Sequence, residues 1–166
     1  MFICKSNSAR SIAAECIARH RADPSCGLLF YSAGTNQGAE IKDPVRCALA
    51  RAGYPLEGIR SKSLLDLLQQ LADTRIDYII TMCCEAQSEL QANMSIRAAL
   101  QQSAPCGTQI LHLPFDVSAP TDSCRRQGLT GCEPEASVHY DAMVQTIESF
   151  VQHLPADLAQ ARPLVL

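Results

Sequence analysis

Three residues near the start of the sequence have the types and the spacing needed to attack an oxyanion. Cys4 is followed by five small or polar residues, and then by Arg10 and Ser11. A thiolate is a strong nucleophile, and a guanidinium matches two oxygens of a tetrahedral anion. A serine hydroxyl can donate a further hydrogen bond to that thiolate. The spacing therefore predicts that Cys4 attacks a phosphate-like anion that Arg10 holds.

The segment that contains these residues is predicted to be a loop between a strand and a helix. Phe2 and Ile3 form a short apolar strand, and residues 11–20 have the apolar spacing of a helix. Backbone N–H groups of such a loop form a nest for anions, and the helix dipole adds positive potential. A buried strand-end thiol beside a surface arginine is the structural alternative, and the strand–loop–helix context argues against it. The predicted oxyanion-binding residues are Lys5, Ser6, Asn7, Ser8, Ala9, Arg10 and Ser11.

Strands and helices alternate along the rest of the chain. Further strands are predicted at 28–31, 77–82 and 109–113, and further helices at 44–52, 63–71, 85–102 and 138–153. This alternation is typical of a three-layer α/β fold with a four-stranded parallel sheet and helices on both faces. We expect one domain over residues 1–154, a tail at 155–166, and a long polar loop at 116–135.

The composition excludes several classes of protein. The chain of 166 residues is 47% hydrophobic and has a net charge of −3, so it should fold and should not bind nucleic acid. Its apolar runs are too short to span a membrane, and its first residues turn polar too early for a secretory signal. We therefore expect a cytoplasmic monomer without a membrane partner.

Nine cysteines are an unusual number for a chain of this kind. An odd count without a secretory signal predicts free thiols in a reducing compartment. The sequence has no C-x-x-C pair, and its four histidines lack the spacing of zinc ligands. No metal and no tightly bound cofactor are expected.

The N-terminal segment resembles the signature of a known family. Residues 2–15, Phe-Ile-Cys-Lys-Ser-Asn-Ser-Ala-Arg-Ser-Ile-Ala-Ala-Glu, resemble the active-site signature of low-molecular-weight tyrosine phosphatases and of the arsenate reductases that share their fold. Weaker matches follow at 31–35, from Pro44 onwards, at 77–83, at 112–116 and at 140–151. The resemblance covers nearly the whole chain apart from residues 84–106, 117–135 and the tail, and it implies the same three-layer fold.

Among these relatives, the sequence favours the arsenate reductases. Cys83 ends a predicted strand that resembles the one ending in a redox cysteine in the reductases, and the chain lacks the Asp-Pro-Tyr acid loop of the phosphatases. The resemblance implies that Cys4 attacks arsenate, that Cys83 then attacks the adduct, and that arsenite leaves behind a disulfide. Such an activity would serve arsenic resistance. Candidates for the thiol that resolves the disulfide are Cys84, Cys106, Cys132 and Cys124.

Several alternatives remain open at this stage. The final thiol could belong to a small molecule, so the external reductant would be thioredoxin or the glutathione and glutaredoxin system. Asp116 matches the region of the family's general acid but stands one residue early, and it could instead serve a turn. Only three residues precede Cys4, fewer than is usual in the family, so we expect a short first strand. A tyrosine phosphatase is the second functional hypothesis, and a non-catalytic module that binds an oxyanion or arsenic is the third.

Overall fold

The computed structural model describes residues 1–22, 27–36, 39–103, 107–115 and 134–160, with the side chains of all of these except 103, 134–136 and 155–160. In chain order, the elements are β1 (Phe2–Cys4), α1 (Arg10–Arg21), β2 (Ser32–Gly34), α2 (Asp43–Arg51), α3 (Leu64–Gln70), β3 (Tyr78–Thr81), α4 (Cys84–Ala92), α5 (Met94–Ser103), β4 (Gln109–His112) and α6 (Pro134–Gln160).

The strands form one four-stranded sheet in the order β2-β1-β3-β4. All three strand pairs are parallel, and β1 lies between β2 and β3. Parallel neighbours must be joined by crossovers, and helices lie in each of these connections. The predicted three-layer α/β fold is confirmed.

Each face of the sheet is covered by its own set of helices. Side chains alternate along a strand, so Ile79 and Ile80 of β3 point to opposite faces. Ile80 packs in a core with residues of α1, α2 and α6. Ile79 packs in a second core with residues of α3, α4 and α5. The carboxyl ends of the strands form the edge where ligands bind in open α/β sheets.

The second strand lies later in the chain than predicted. The apolar residues Leu28 and Leu29 are 56% and 70% exposed and precede the strand. The small residues of Ser32–Gly34 pair with β1 instead, in a fully buried position. Apolar character alone was a poor guide here, because β2 runs beside the crowded first loop and its sequence is limited to small side chains.

The predicted helix at 85–102 is two helices in the structure. The chain breaks at Asn93, whose backbone is extended (φ −82°, ψ 109°). Its side-chain oxygen accepts hydrogen bonds from the N–H groups of Ser95 (3.0 Å) and Ile96 (3.2 Å). Asparagine favours this role because its short side chain can replace the missing partners at a helix start.

The last helix is longer than predicted. It runs from Pro134 to Gln160, so the expected boundary between domain and tail at residue 154 falls inside it. Within the described part of the chain, no helix combines the length and apolar character needed to cross a membrane.

Candidate active site

The carbonyl groups of the loop between β1 and α1 accept hydrogen bonds from the segment that follows β2. The carbonyl of Cys4 accepts a hydrogen bond from the N–H of Thr35 (3.1 Å), and that of Lys5 accepts one from Asn36 (2.9 Å). The carbonyls of Ser6 and Ser8 are bonded in the same way to later residues of the segment that follows β2. A trans peptide unit directs its N–H opposite to its carbonyl. The loop therefore turns successive N–H groups towards its interior, as an anion nest requires.

Gly34 lets the end of β2 approach this loop closely. A β-carbon built on Gly34 would lie 2.9 Å from the carbonyl carbon of Ser6 and 3.0 Å from the nitrogen of Asn7. Both contacts are to backbone, which cannot move aside without changing the loop. Only a residue without a β-carbon therefore fits at position 34 beside the loop.

The candidate nucleophile Cys4 is buried at the end of β1. Its Sγ lies 2.9 Å from the hydroxyl oxygen of Ser11, in the first turn of α1. The start of a helix of 12 residues faces this thiol, so the helix dipole stabilises negative charge there. The hydroxyl of Ser11 can donate to a Cys4 thiolate, as its place in the sequence predicts.

Asn7 fixes the shape of the loop from within. Its backbone is left-handed, with a φ of 48°. Its side-chain nitrogen donates to the hydroxyls of Ser11 and Ser32, both at 2.8 Å. Its side-chain oxygen accepts from the N–H of Lys62 at 2.7 Å. One buried amide thus joins the loop, α1, β2 and the segment before α3.

A buried carboxylate completes this network. Glu15 is fully buried and accepts a hydrogen bond from Ser32 (2.5 Å) and another from the ammonium of Lys62 (2.9 Å) at the same oxygen. Its other oxygen lies 2.5 Å from the guanidinium of Arg19 as an ion pair without hydrogen-bond alignment. A buried carboxylate is costly without partners. The two cations offset that cost, and Ser32 connects the carboxylate to Asn7.

Arg10 is the first residue of α1, at the end of the loop. It is half-buried, and its guanidinium lies 3.5 Å from the carbonyl oxygen of Phe115. The remaining donors of its planar fork can bind an anion. The described part of this segment ends at Phe115, so the predicted general acid Asp116 lies outside the described residues.

Cys83 follows β3, which is the strand next to β1 in the sheet. It is the N-cap residue of α4, two positions after the end of β3, is 2% exposed, and belongs to the same buried cluster as Cys4. Burial raises the pKa of the Cys83 thiol, while hydrogen bonds from the main chain of Ala86 and Lys5 and the charge of Arg10 act in the opposite direction. The charge of Cys4 adds to the increase.

The other predicted thiols fall into two groups. Cys84 is exposed at the first position of α4, and its Sγ lies 4.0 Å from Nε2 of His112. Cys106, Cys124 and Cys132 lie outside the described residues.

Cys16 is buried and donates to the carbonyl of Pro55 (3.1 Å), and burial raises its pKa to about 11. This cysteine therefore serves as a small packed side chain.

Sequence reasoning did not identify four residues that support the site. Glu15, Ser32 and Thr81 stood within the quoted segments without an assigned role, and Lys62 was not considered. Ser32 and Lys62 meet Glu15 only through the fold, since they lie 17 and 47 residues away along the chain. Within the described ranges, no group of three or more histidine, cysteine or acidic residues could hold a metal ion.

Comparison with known proteins gives a family and a set of similar folds. No curated protein sequence matches the chain. The YwlE arginine phosphatase from Geobacillus stearothermophilus is 16% identical over 96% of this chain and 91% of its own, with a TM-score of 0.63. A low molecular weight protein tyrosine phosphatase from T. tengcongensis is 18% identical over 94% and 96%, with a TM-score of 0.63. A thioredoxin-dependent arsenate reductase from Corynebacterium glutamicum is 20% identical over 96% and 60%, with a TM-score of 0.57.

These solved structures share the fold, and they include both phosphatases and a reductase. The sequence profile described as low molecular weight phosphotyrosine protein phosphatase matches residues 1–163, which is almost the entire chain. The match includes the loop from Cys4 to Arg10 and the strands that hold it. The chain belongs to the low molecular weight phosphotyrosine protein phosphatase family.

Proposed function

We propose that this protein reduces arsenate to arsenite, with Cys4 as nucleophile and Cys83 as the second thiol. The observation that carries the proposal is the position of Cys83, which is buried in the same side-chain cluster as the candidate nucleophile Cys4. A hydrolase of this fold needs one thiol at the loop. A second thiol in the same cluster supports redox chemistry.

The first step is the attack of the Cys4 thiolate on the arsenic of arsenate. A sulfur–arsenic bond forms, and one oxygen leaves as water after it has taken up protons. The inward N–H groups of the loop and the fork of Arg10 stabilise the charge on the remaining oxygens. Ser11, at 2.9 Å from Cys4, stabilises the thiolate before the attack.

In the second step, the thiolate of Cys83 attacks the sulfur of Cys4. A disulfide bond forms, the sulfur–arsenic bond breaks, and its electron pair stays on arsenic, which leaves as arsenite. The two thiols are oxidised and arsenic is reduced by two electrons. Because burial raises the pKa of Cys83, this thiol is protonated in the resting protein and must lose its proton during the attack.

The resulting disulfide must be reduced from outside for a second turnover. We propose a dithiol protein of the thioredoxin class as the reductant, with the glutathione and glutaredoxin system as the alternative. The thioredoxin-dependent arsenate reductase of the same fold supports the first of these. Which further cysteine takes part in this exchange stays a prediction.

Phosphate ester hydrolysis is the second candidate function. The anion loop does not distinguish arsenate from a phosphate ester, because both present tetrahedral oxygens to the same donors. Two of the similar solved structures are phosphatases, which favours this alternative. In that reaction Cys83 would have no chemical role.

The two functions are separated by comparing two activities in three proteins. Arsenite formation with a dithiol reductant and hydrolysis of p-nitrophenyl phosphate are measured for the wild type, Cys83→Ser and Cys47→Ser. Cys47 is half-buried in α2 and serves as a matched control. The proposal expects arsenite formation that Cys83→Ser abolishes and Cys47→Ser leaves unchanged. Steady aryl phosphate hydrolysis that is unaffected by Cys83→Ser, without arsenite formation, would assign the protein to the phosphatases.

A further inference from the structure

A thiol and an imidazole lie together at the carboxyl edge of the sheet, beside the loop of Cys4. Cys84 begins α4, and His112 ends β4, which is the outer strand of the sheet next to β3. Sγ of Cys84 and Nε2 of His112 are 4.0 Å apart, within the range of a sulfur hydrogen bond. Cys84 is exposed, whereas the neighbouring Cys83 is buried.

The hydrogen bond at Nδ1 of His112 determines which of the two ring nitrogens carries the proton. Nδ1 of His112 lies 2.8 Å from the hydroxyl oxygen of Thr81. That hydroxyl has a single hydrogen, and it is donated to the carbonyl of Leu111 at 3.2 Å. With the hydroxyl hydrogen assigned to this carbonyl, which can only accept, we infer that Nδ1 is the donor to Thr81. In the neutral ring, Nε2 is then left with a free electron pair directed to Cys84.

The surroundings of His112 keep the ring in this neutral form. Its side chain is half-buried, and burial lowers its pKa, with a smaller opposing effect from a hydrogen bond to the main chain of Thr81. Thr81 itself is fully buried and has a fixed place in β3. The arrangement has three parts: an exposed nucleophile, a base within reach, and a buried group that orients the base.

We propose that Cys84 and His112 form a second reactive thiol site, which takes up disulfides of low-molecular-weight thiols as a mixed disulfide on Cys84. The thiol proton of Cys84 passes to Nε2 of His112, and Sγ attacks one sulfur of the disulfide. The bond between the two sulfurs of the small molecule breaks, and the departing thiolate takes the proton back from His112. Cys84 is oxidised, and half of the small disulfide is released in reduced form.

The partner is a solution disulfide because the two cysteines inside the site are unsuitable. Sγ of Cys84 is on the exposed side of α4, whereas Cys4 is buried. A bond between the adjacent Cys83 and Cys84 would close a strained eight-membered ring. The site does not depend on arsenate reduction, since Cys4 takes no part in the exchange.

The test is the rate at which oxidised glutathione modifies Cys84 in the full chain. Fragmentation of the peptide that contains both Cys83 and Cys84 assigns the modification to Cys84 by tandem mass spectrometry, in the wild type and in His112→Gln. His153→Gln is the matched control, because His153 lies on α6 and bonds the carbonyl of Ser149. General base catalysis by histidine contributes about 100-fold or more. We expect a fall of about that size in His112→Gln and no change in His153→Gln.

A second pair of variants separates positioning from folding. Thr81→Ser keeps the hydroxyl that orients His112, whereas Thr81→Val keeps the volume and removes it. The rate at Cys84 should be close to that of the wild type in Thr81→Ser and at least several-fold lower in Thr81→Val. Equal rates in all variants, or no glutathione on Cys84 in the wild type, would overturn the proposal whatever the outcome of the arsenate assays.

Discussion

Asn7 donates hydrogen bonds to both Ser11 and Ser32 from one side-chain nitrogen, at 2.8 Å each. Ser11 is the residue that contacts the sulfur of Cys4, and Ser32 is the residue that contacts the buried Glu15. A single amide therefore connects the nucleophile to a carboxylate deep in the core. The geometry of the anion loop depends on this contact.

Replacing Asn7 with two different residues separates its two roles. Asn7→Gly keeps the left-handed backbone accessible but removes the hydrogen bonds, whereas Asn7→Ala removes both. We expect kcat to fall by about 10- to 100-fold in Asn7→Gly, since small displacements of reacting groups have effects of that size. Asn7→Ala should lose more, and should also lose stability. Steady-state kinetics and urea unfolding measure the two effects, and an unchanged kcat in Asn7→Gly would contradict this role.

We expect Gly34→Ala to distort the loop by a steric clash. Its new β-carbon would meet the backbone of Ser6 and Asn7 at about 3 Å, and we expect a loss of stability of about 1 to 3 kcal/mol together with weaker phosphate binding. Gly58→Ala is the control, because Gly58 has a φ of 71° and nothing within 4 Å of its added carbon. That variant should lose stability while phosphate affinity, measured by calorimetry, is retained. Normal phosphate affinity in Gly34→Ala would show that the close approach is not required.

Arg10→Lys tests whether the planar fork is needed. A lysine keeps the charge but cannot bind two oxygens side by side. We expect kcat/KM for the oxyanion substrate to fall by about 100-fold or more, a loss comparable to that of other preorganised donors. If Arg10→Lys retained near-normal kcat/KM, the contact would be one of charge alone.

The buried Cys16 makes stability depend on pH in the alkaline range. Burial raises its pKa from 9.0 to about 11, so the unfolded chain releases this proton at lower pH than the folded protein does. The stabilisation is fully present below pH 9 and is lost as the pH rises towards 11, by about 2 to 3 kcal/mol in total.

Cys16→Ser removes this titration and keeps a donor for the carbonyl of Pro55. Urea unfolding from pH 8 to pH 10.5 should show a shallower decrease in the free energy of unfolding for Cys16→Ser than for the wild type. Parallel curves for Cys16→Ser and the wild type would refute the burial argument.

The parts of this protein that could be predicted from sequence are those whose contacts are local. The spacing of Cys4, Arg10 and Ser11 lies within one loop and one helical turn, and the buried run of β3 is continuous. The strand at β2 was misplaced because its small residues serve the loop beside it, while the apolar residues before it are exposed.

The network behind the loop could not be derived from spacing. Glu15, Ser32 and Lys62 are brought together by the strand order, in which β2 lies beside β1. The same is true of Cys84 and His112, which are 28 residues apart. Contacts of this kind depend on the register of parallel strands, and no local pattern records that register.

The central claim is that the Cys83 thiol attacks the arsenate adduct on Cys4. The most direct measurement is a single turnover with one equivalent of arsenate and no external thiol, followed by alkylation and peptide mapping of the disulfide. The account predicts one Cys4–Cys83 disulfide for each arsenite released. Arsenite released while Cys83 remains a free thiol, or no arsenite at all, would contradict it.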